Sequence, residues 1–525
     1  MSSRNTVPST ETLVARGFAP RPDGTVDLLL VFPPTTVADR YGKASVGKSG
    51  GDLPPLGVTS IAAYLRREGF GVGLLDGCAL GLSVEDIVRI VAERRPRAIG
   101  LSATTYALPR SVELAKALRG RFPDLLILLG GAHANAVPKH AMEAYEGCFD
   151  LVIHGEGEHT AKHILDAFAA KGHDRKTLLA DTAALSSIQG LVFRSSEGLV
   201  QTKTPAGIQD LDSLPAPARD LLPHERYIPL PNQYKLTPLA HMVVIRGCPY
   251  FCSFCDQANT GGRMHSPKRA VEDIQALVRD YGIKEVSFWD DTMSFNKHWM
   301  KEFCQRLIAA KTGVIWSCYA AVRTLDQPTL KHMADAGCWN IFFGIETSHP
   351  TLLRNIEGDR KNGDADRIRK VIRWTKEAGI EIRGSFMIAL PGETPEMAEE
   401  TIRFAKELDP EYAQFSITTP YPGTKLYDEI KAGKWGKLTT EDFSEFQGWN
   451  VVFLPEGYKS KDEVWAMEKR AFRSFYFRPS YMWKMLKRTR RLEDVKRYVK
   501  GVRLLLGGFA YGPMPAKIRA ATDRN

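Results

Sequence analysis

Arg246-Gly-Cys-Pro-Tyr-Phe-Cys-Ser-Phe-Cys-Asp256 sets three cysteines, Cys248, Cys252 and Cys255, on one short loop at Cys-x3-Cys-x2-Cys spacing. Thiolates are the usual ligands of iron–sulfur clusters. Three of them can hold three corners of a cubane and leave the fourth iron without a protein ligand. That open iron is free to chelate a small molecule, which an active cluster needs and an electron carrier does not. The alternative is zinc, which requires a fourth ligand. His265 is the nearest candidate, and no second Cys-x2-Cys pair completes a zinc ribbon. The other cysteines, at 78, 148, 304, 318 and 338, are scattered, unlike a secreted disulfide framework. A reducing intracellular setting fits them, so the expected location is cytoplasmic.

Downstream of the loop, apolar runs alternate with helical patterns. Candidate strands are Met242–Ile245, Glu285–Trp289, Val314–Tyr319, Asn340–Ile345, Glu381–Ile388 and Tyr412–Thr418. Helical patterns lie between them, at Ala270–Tyr281, Lys297–Ala310, Thr329–Ala336 and Ala365–Ala378. Six β–α units are too few for a full eight-unit barrel and predict a partial barrel open on one side, over residues 236–425. Upstream, residues 20–185 carry five more units, with runs at Val26–Phe32, Val72–Leu75, Ala98–Ser102, Leu125–Leu129 and Leu151–Ile153. Near-continuous apolar strands predict an α/β, doubly wound, Rossmann-like parallel sheet covered on both faces. Ligands bind such sheets at the C-terminal strand ends, here Ala103–Leu108, Gly130–Ala134 and His154–Glu158. Residues 186–235 read as a small hairpin at 190–202 and a proline-rich linker. Residues 426–525 read as a helical substrate or lid region.

The cysteine motif, with Phe254 before its last cysteine and six β–α units behind it, resembles the signature of radical S-adenosylmethionine enzymes. The resemblance implies a 4Fe-4S cluster whose open iron binds S-adenosylmethionine, and reductive cleavage to a 5′-deoxyadenosyl radical. It also implies that Asp290 and Asp291, Glu346, and Ser385 contact or support that cofactor. From the residues alone, Asp290 and Asp291 fit equally well as caps of the helix near Asn296, and Glu346 as a helix N-terminal carboxylate.

The upstream domain resembles the cobalamin-binding domain of a large subgroup of that family. The stretches that carry this likeness are Leu129-Gly-Gly-Ala-His133-Ala and His154-Gly-Glu-Gly-Glu158. Gly130, Gly131, His133, Gly155, Glu156 and Gly157 are the implied cobalamin contacts. Thr104, Thr105 and Tyr106 are candidates for the lower face of the ring. The Asp-x-His-x-x-Gly motif of many cobalamin proteins is absent from the sequence. A doubly wound fold without cobalamin is the alternative.

The subgroup implies methylation of an unactivated carbon, or of phosphorus, by a transferase that uses both cofactors. Two other readings stand beside it. One is a cyclase or rearrangement enzyme similar to the anaerobic porphyrin-ring cyclases. The other is a non-catalytic cobalamin- or nucleic-acid-binding regulator. A methylthio-transferring tRNA enzyme is not expected, because its second cluster needs another grouped cysteine triplet. Expected partners are a small-molecule substrate and a reductant such as flavodoxin or ferredoxin. The net charge is +10, and Lys484–Arg503 carries nine basic residues against two acidic ones. A solvated helix face is the first reading of that segment, and peripheral membrane contact the second. Nucleic acid is not an expected partner. Met1–Ala19 has no signal-type apolar core, and no run is long enough for a membrane span.

Overall fold

Strand and helix boundaries follow from local chemistry. Ser266 caps the helix Pro267–Tyr281 by accepting from the Arg269 amide, Pro267 occupies its first turn, and Gly282 ends it at φ 62°. Helices at 327–335 and 395–408 start the same way, from Asp326 and Thr394 with a proline in the first turn. Counting apolar periodicity alone starts the helix Pro267–Tyr281 three residues late, because Pro267, though buried in step with Ala270, Val271 and Ile274, is followed by two basic residues and does not itself read as helical.

The computed structural model describes residues 8–36, 51–448, 450–488 and 499. Its first sheet has eight strands. Five are parallel, in the order Val72–Asp76, Leu28–Phe32, Ala98–Ser102, Leu126–Gly130, Leu151–Ile153. Helices Leu56–Arg67 and Gly157–Ala170 cover one face, and Val84–Arg94 and Leu108–Arg121 the other. This is the expected doubly wound arrangement. The hairpin, however, does not stand in a connector. Leu191–Ser195 pairs antiparallel with Leu151–Ile153, so the sheet continues through Gln201. Pairing satisfies edge amides that would otherwise face water.

The second sheet has six parallel strands in one continuous order: Tyr412–Ile417, Glu381–Ile388, Cys338–Glu346, Ile315–Ala320, Glu285–Phe288, Leu239–Met242. Its two outer strands do not pair, which leaves the barrel open as expected. The first strand ends at Met242, three residues before its expected end. Asp290 takes the amides of Val244 and Ile245, at 2.6 and 2.7 Å, and Ile245–Arg246 then pairs antiparallel with Arg263–Met264. The Tyr412–Ile417 edge is covered by helix Lys461–Tyr476, whose Tyr476 hydroxyl accepts from the Ala413 amide and donates to the Ala413 carbonyl. The region after the barrel is not all helical. It includes the small ribbon Gly436–Leu438 with Phe453–Pro455. Of the basic helical pattern at 482–506, helix Pro479–Arg488 is seen, and the rest apart from Val499 lies outside the described residues. Among the described residues no helix is long and apolar enough to cross a membrane.

Candidate functional site

The three cysteines lie on the loop closed by the Ile245–Arg246 and Arg263–Met264 ribbon. The loop is tied down by its own backbone: Thr260 N–H donates to the Cys248 carbonyl, Ser253 N–H to Ile356, and Leu426 N–H to Ser253. Burial pushes the Cys252 thiol up to about 11 and Cys255 to about 12. Thiols held neutral by burial would ionise on coordinating a metal ion. Among the described residues no three His, Cys, Asp or Glu side chains converge as ligands of one ion. Ligands on separate corners of a cubane stand further apart than that. His265, the proposed fourth ligand for zinc, is committed elsewhere. Its Nδ1 lies 3.0 Å from Asp212, and its side chain borders a different cavity.

Beside the loop is a cavity of about 290 Å³ at the C-terminal ends of the barrel strands. Phe254, Asp291, Glu346 and Ser385 line it, together with Lys361 and Tyr421. Glu346 ends its strand in the left-handed region at φ 64°, at a register break after Gly344. A non-glycine residue holds that conformation only when its surroundings enforce it. Here Asn362 donates to the carbonyls of Gly344 and Ile345, and Lys361 Nζ donates to Glu346 Oε1 at 3.0 Å. A Cβ on Gly344 would fall 2.5 Å from both Glu346 Oε1 and Lys361 Nζ, so this glycine makes room for the ion pair. Burial works against the Lys361 charge, but Glu346 holds it above the ordinary lysine value. A carboxylate and an ammonium side by side complement the two charged groups of an amino acid.

A second cavity, of about 540 Å³, runs from the strand ends of the first sheet along its face, past Leu30 and Leu28, to Asp273 and Tyr281 of the barrel helix Pro267–Tyr281. Gly57, Gly100, Gly130, Gly131, Gly155 and Gly157 are among its lining residues. Gly57 has open space where a Cβ would sit, and Gly130 has nothing closer than 4.0 Å. Such a floor admits a bulky, flat ligand close to the backbone. Gly131, at φ 97°, is also required by packing, since a Cβ there would meet the Ala103 backbone at 2.8 Å.

Two domain models match the chain: a B12-binding domain over residues 42–165 and the radical SAM superfamily over residues 242–405. An uncharacterized methyltransferase of Pyrococcus horikoshii, PH0819, is 34% identical over 468 residues, covering 87% of this chain and 94% of that protein. The chain belongs to the cobalamin-dependent radical S-adenosylmethionine methyltransferase family. An anaerobic magnesium-protoporphyrin IX monomethyl ester cyclase of Rubrivivax gelatinosus is 26% identical over 442 residues, 82% of this chain and 75% of that one. Among solved structures, the radical S-adenosylmethionine methyltransferase TsrM of Kitasatospora setae, with cobalamin and a 4Fe-4S cluster bound, aligns at TM-score 0.65. That alignment covers 93% of this chain and all of that one at 17% identity, a likeness of fold.

As a member of this family the chain is an enzyme that uses a 4Fe-4S cluster, S-adenosylmethionine and cobalamin. Not every residue implied by the family resemblance lies at a cavity. Asp290 lines neither of the two described. It is 2% exposed and fastens the start of the cysteine loop by its two backbone bonds. Nor do Asp290 and Asp291 cap the helix Lys297–Ala310, which Asn296 caps by accepting from Trp299. His133 is fully buried and lines neither cavity. Its ring nitrogens face Thr105 Oγ1 at 3.4 Å and His140 Nδ1 at 3.1 Å, and Phe443 packs on its edge. Burial lowers it to about 4, so it is a neutral histidine, enclosed where Phe443 packs on the first domain. Thr105 is thereby a partner of His133 and lines neither cavity. Thr104 Oγ1 is buried with no hydrogen-bond partner among the described residues, and Tyr106 sits near Tyr421 at the junction of the domains. Lys361 escaped sequence reasoning. It lies fifteen residues past Glu346 in the one-turn helix Asp359–Asn362, and nothing in that spacing encodes the pair.

Asp290 carries a testable consequence. Burial lifts its carboxyl from 3.8 to about 8. The folded protein therefore keeps this proton over a range in which the unfolded chain releases it. That contribution is fully present below about pH 4, is lost as pH rises to about 8, and adds no slope above that. Asp290→Asn keeps the oxygen that accepts the two amides and has no proton to lose. Urea unfolding is expected to show a weaker loss of stability between pH 5 and 8 in Asp290→Asn than in the parent. Equal slopes would show that Asp290 is ionised in the fold.

Proposed function

We propose that the protein transfers a methyl group to an unactivated carbon, or to phosphorus, of a small-molecule substrate bound between its two sheets. The observation that carries this reading is how the strand ends of the two sheets meet. The barrel-mouth residue Gly423 packs so closely on Ala136 of the cobalamin-binding domain that a Cβ would fall 2.6 Å from the Ala136 carbonyl oxygen. Phe443, beyond the barrel, packs on His133 and His140 of the same domain. This seam sets the barrel mouth, where Tyr421 lines the smaller cavity, against the first domain, so a substrate held beside it would have one cofactor site in each domain.

Cys248, Cys252 and Cys255 would hold the cluster. Glu346, Lys361, Asp291, Ser385 and Phe254 would hold S-adenosylmethionine, and the glycine-floored cavity would hold cobalamin. When bound, the cluster with S-adenosylmethionine supplies a hydrogen-abstracting radical, and cobalamin supplies the methyl group. The chain binds, orients and excludes water. Lys361 neutralises a carboxylate, Glu346 accepts from an ammonium or ribose hydroxyls, and Phe254, Phe342, Met387 and Ile417 shield the cavity. A flavodoxin- or ferredoxin-type reductant and a cytoplasmic setting go with this reading.

The protoporphyrin-ester cyclase among the relatives favours ring closure as the second reading. Anaerobic turnover with S-adenosylmethionine labelled in its methyl group separates the two. Methyl transfer puts the label in the product. An unlabelled product formed alongside 5′-deoxyadenosine means cyclisation or rearrangement.

A further inference from the structure

We propose that Glu156, Glu158, Arg246 and Arg263 form a charge clamp that fixes the cysteine loop to the cobalamin-binding domain. The clamp thereby sets where the cluster stands relative to cobalamin. The inference rests on the proposed function only in taking both cofactors to be bound at once.

Arg246 and Arg263 are direct register partners in the ribbon that closes the cysteine loop, so they form its root. Both side chains cross to the other domain. Arg246 Nη2 donates to Glu158 Oε1 at 2.7 Å, and its Nη1 lies 3.5 Å from Glu156 Oε1. Arg263 grips Glu156 with two bonds, at 2.6 and 3.1 Å. Ser60 Oγ donates to Glu158 Oε1 at 2.8 Å, which ties a second helix of that domain to the clamp. The two glutamates flank the start of helix Gly157–Ala170, and both line the larger cavity. One turn, residues 155–158, thus borders the proposed cobalamin site and holds the root of the cluster loop.

The connector threads the same network. Ile208 N–H donates to Glu156 Oε2 at 2.7 Å, and Arg263 donates to the Ile208 carbonyl at 2.6 Å. Next to it, a Cβ on Gly207 would fall 2.5 Å from the Arg263 guanidinium, so glycine leaves the space the arginine fills. Glu158 is 4% exposed, Glu156 19%, and the arginines 20–24%. Desolvating four charges offsets much of their attraction, so a network like this is a poor source of stability. Fixing register is its better-attested use. The loop moves as a unit with its root, because backbone bonds Thr260-to-Cys248 and Asn259-to-Tyr250 close it internally.

The test is hydrogen exchange on the full chain with its cluster reconstituted, with and without hydroxocobalamin. In the parent protein, cobalamin is expected to slow exchange across residues 247–262 by about tenfold. Arg263→Gln and, independently, Gly207→Val are expected to abolish that response while the visible spectrum still reports bound cobalamin. The exchanged pair Arg263→Glu with Glu156→Arg should restore part of it. A parent loop that binds cobalamin without responding overturns the clamp alone, as does a full response in both single variants. A parent protein that retains no cobalamin overturns the clamp together with the functional reading.

Discussion

Cys252→Ala is expected to yield a folded protein that holds no iron–sulfur cluster and forms no 5′-deoxyadenosine from S-adenosylmethionine. The cysteine is 5% exposed, and the loop around it is fixed by backbone bonds that do not involve its sulfur. Alanine therefore removes the proposed ligand and leaves the scaffold. Two remaining thiolates cannot hold a cubane at three corners, and without the cluster no route to reductive cleavage remains. Nucleoside formation should fall at least about a thousandfold, to background, while thermal unfolding of the cluster-free protein moves by no more than about 2 kcal/mol. Iron content, visible absorption and nucleoside release in anaerobic assays check all three parts. Normal iron content with nucleoside release would show that Cys252 is not a ligand.

Lys361→Met is expected to weaken S-adenosylmethionine binding by about a hundredfold and to destabilise the protein by about 3–5 kcal/mol. The side chain of Glu346 is 6% exposed, and Lys361 is its charge partner across 3.0 Å. Removing the ammonium strands a carboxylate away from water, and breaking such a pair costs far more than the intact pair contributes. The doubly substituted Glu346→Gln, Lys361→Met protein should recover much of the stability but not the affinity, because stability needs only that no charge be left alone, whereas recognition needs both charges. Equilibrium dialysis of S-adenosylmethionine and urea unfolding separate the two effects. Unchanged affinity in Lys361→Met would remove this cavity from the cofactor site.

Much of the architecture was legible in the sequence because parallel sheets advertise themselves. The strands Ala98–Ser102, Leu151–Ile153 and Glu381–Ile388 and the helices Val84–Arg94 and Lys297–Ala310 are bounded where their apolar patterns begin and end. The hairpin was legible as a hairpin, but not as the edge of the first sheet, since edge pairing depends on which surfaces meet. Asp290 and His133 illustrate the same limit within the candidate site. Both stand in stretches that resemble family motifs, yet one fastens backbone amides and the other is buried against Phe443 where the domains meet. A residue type states what a side chain can bond to, and only its surroundings decide what it does bond to.

The sequence by itself determined the cysteine spacing, the two alternating series and the glycines at the strand ends. These are local properties, written in neighbouring residues through the periodicity of the chain and the reach of a loop. Tertiary structure alone decided that Lys361 meets Glu346, that Gly344 clears space for them, and that Arg246 and Arg263 reach across to Glu156 and Glu158. Charges far apart in the chain acquire partners only when packing of the apolar faces has brought their backbones together, and no spacing rule along one strand or helix records that meeting.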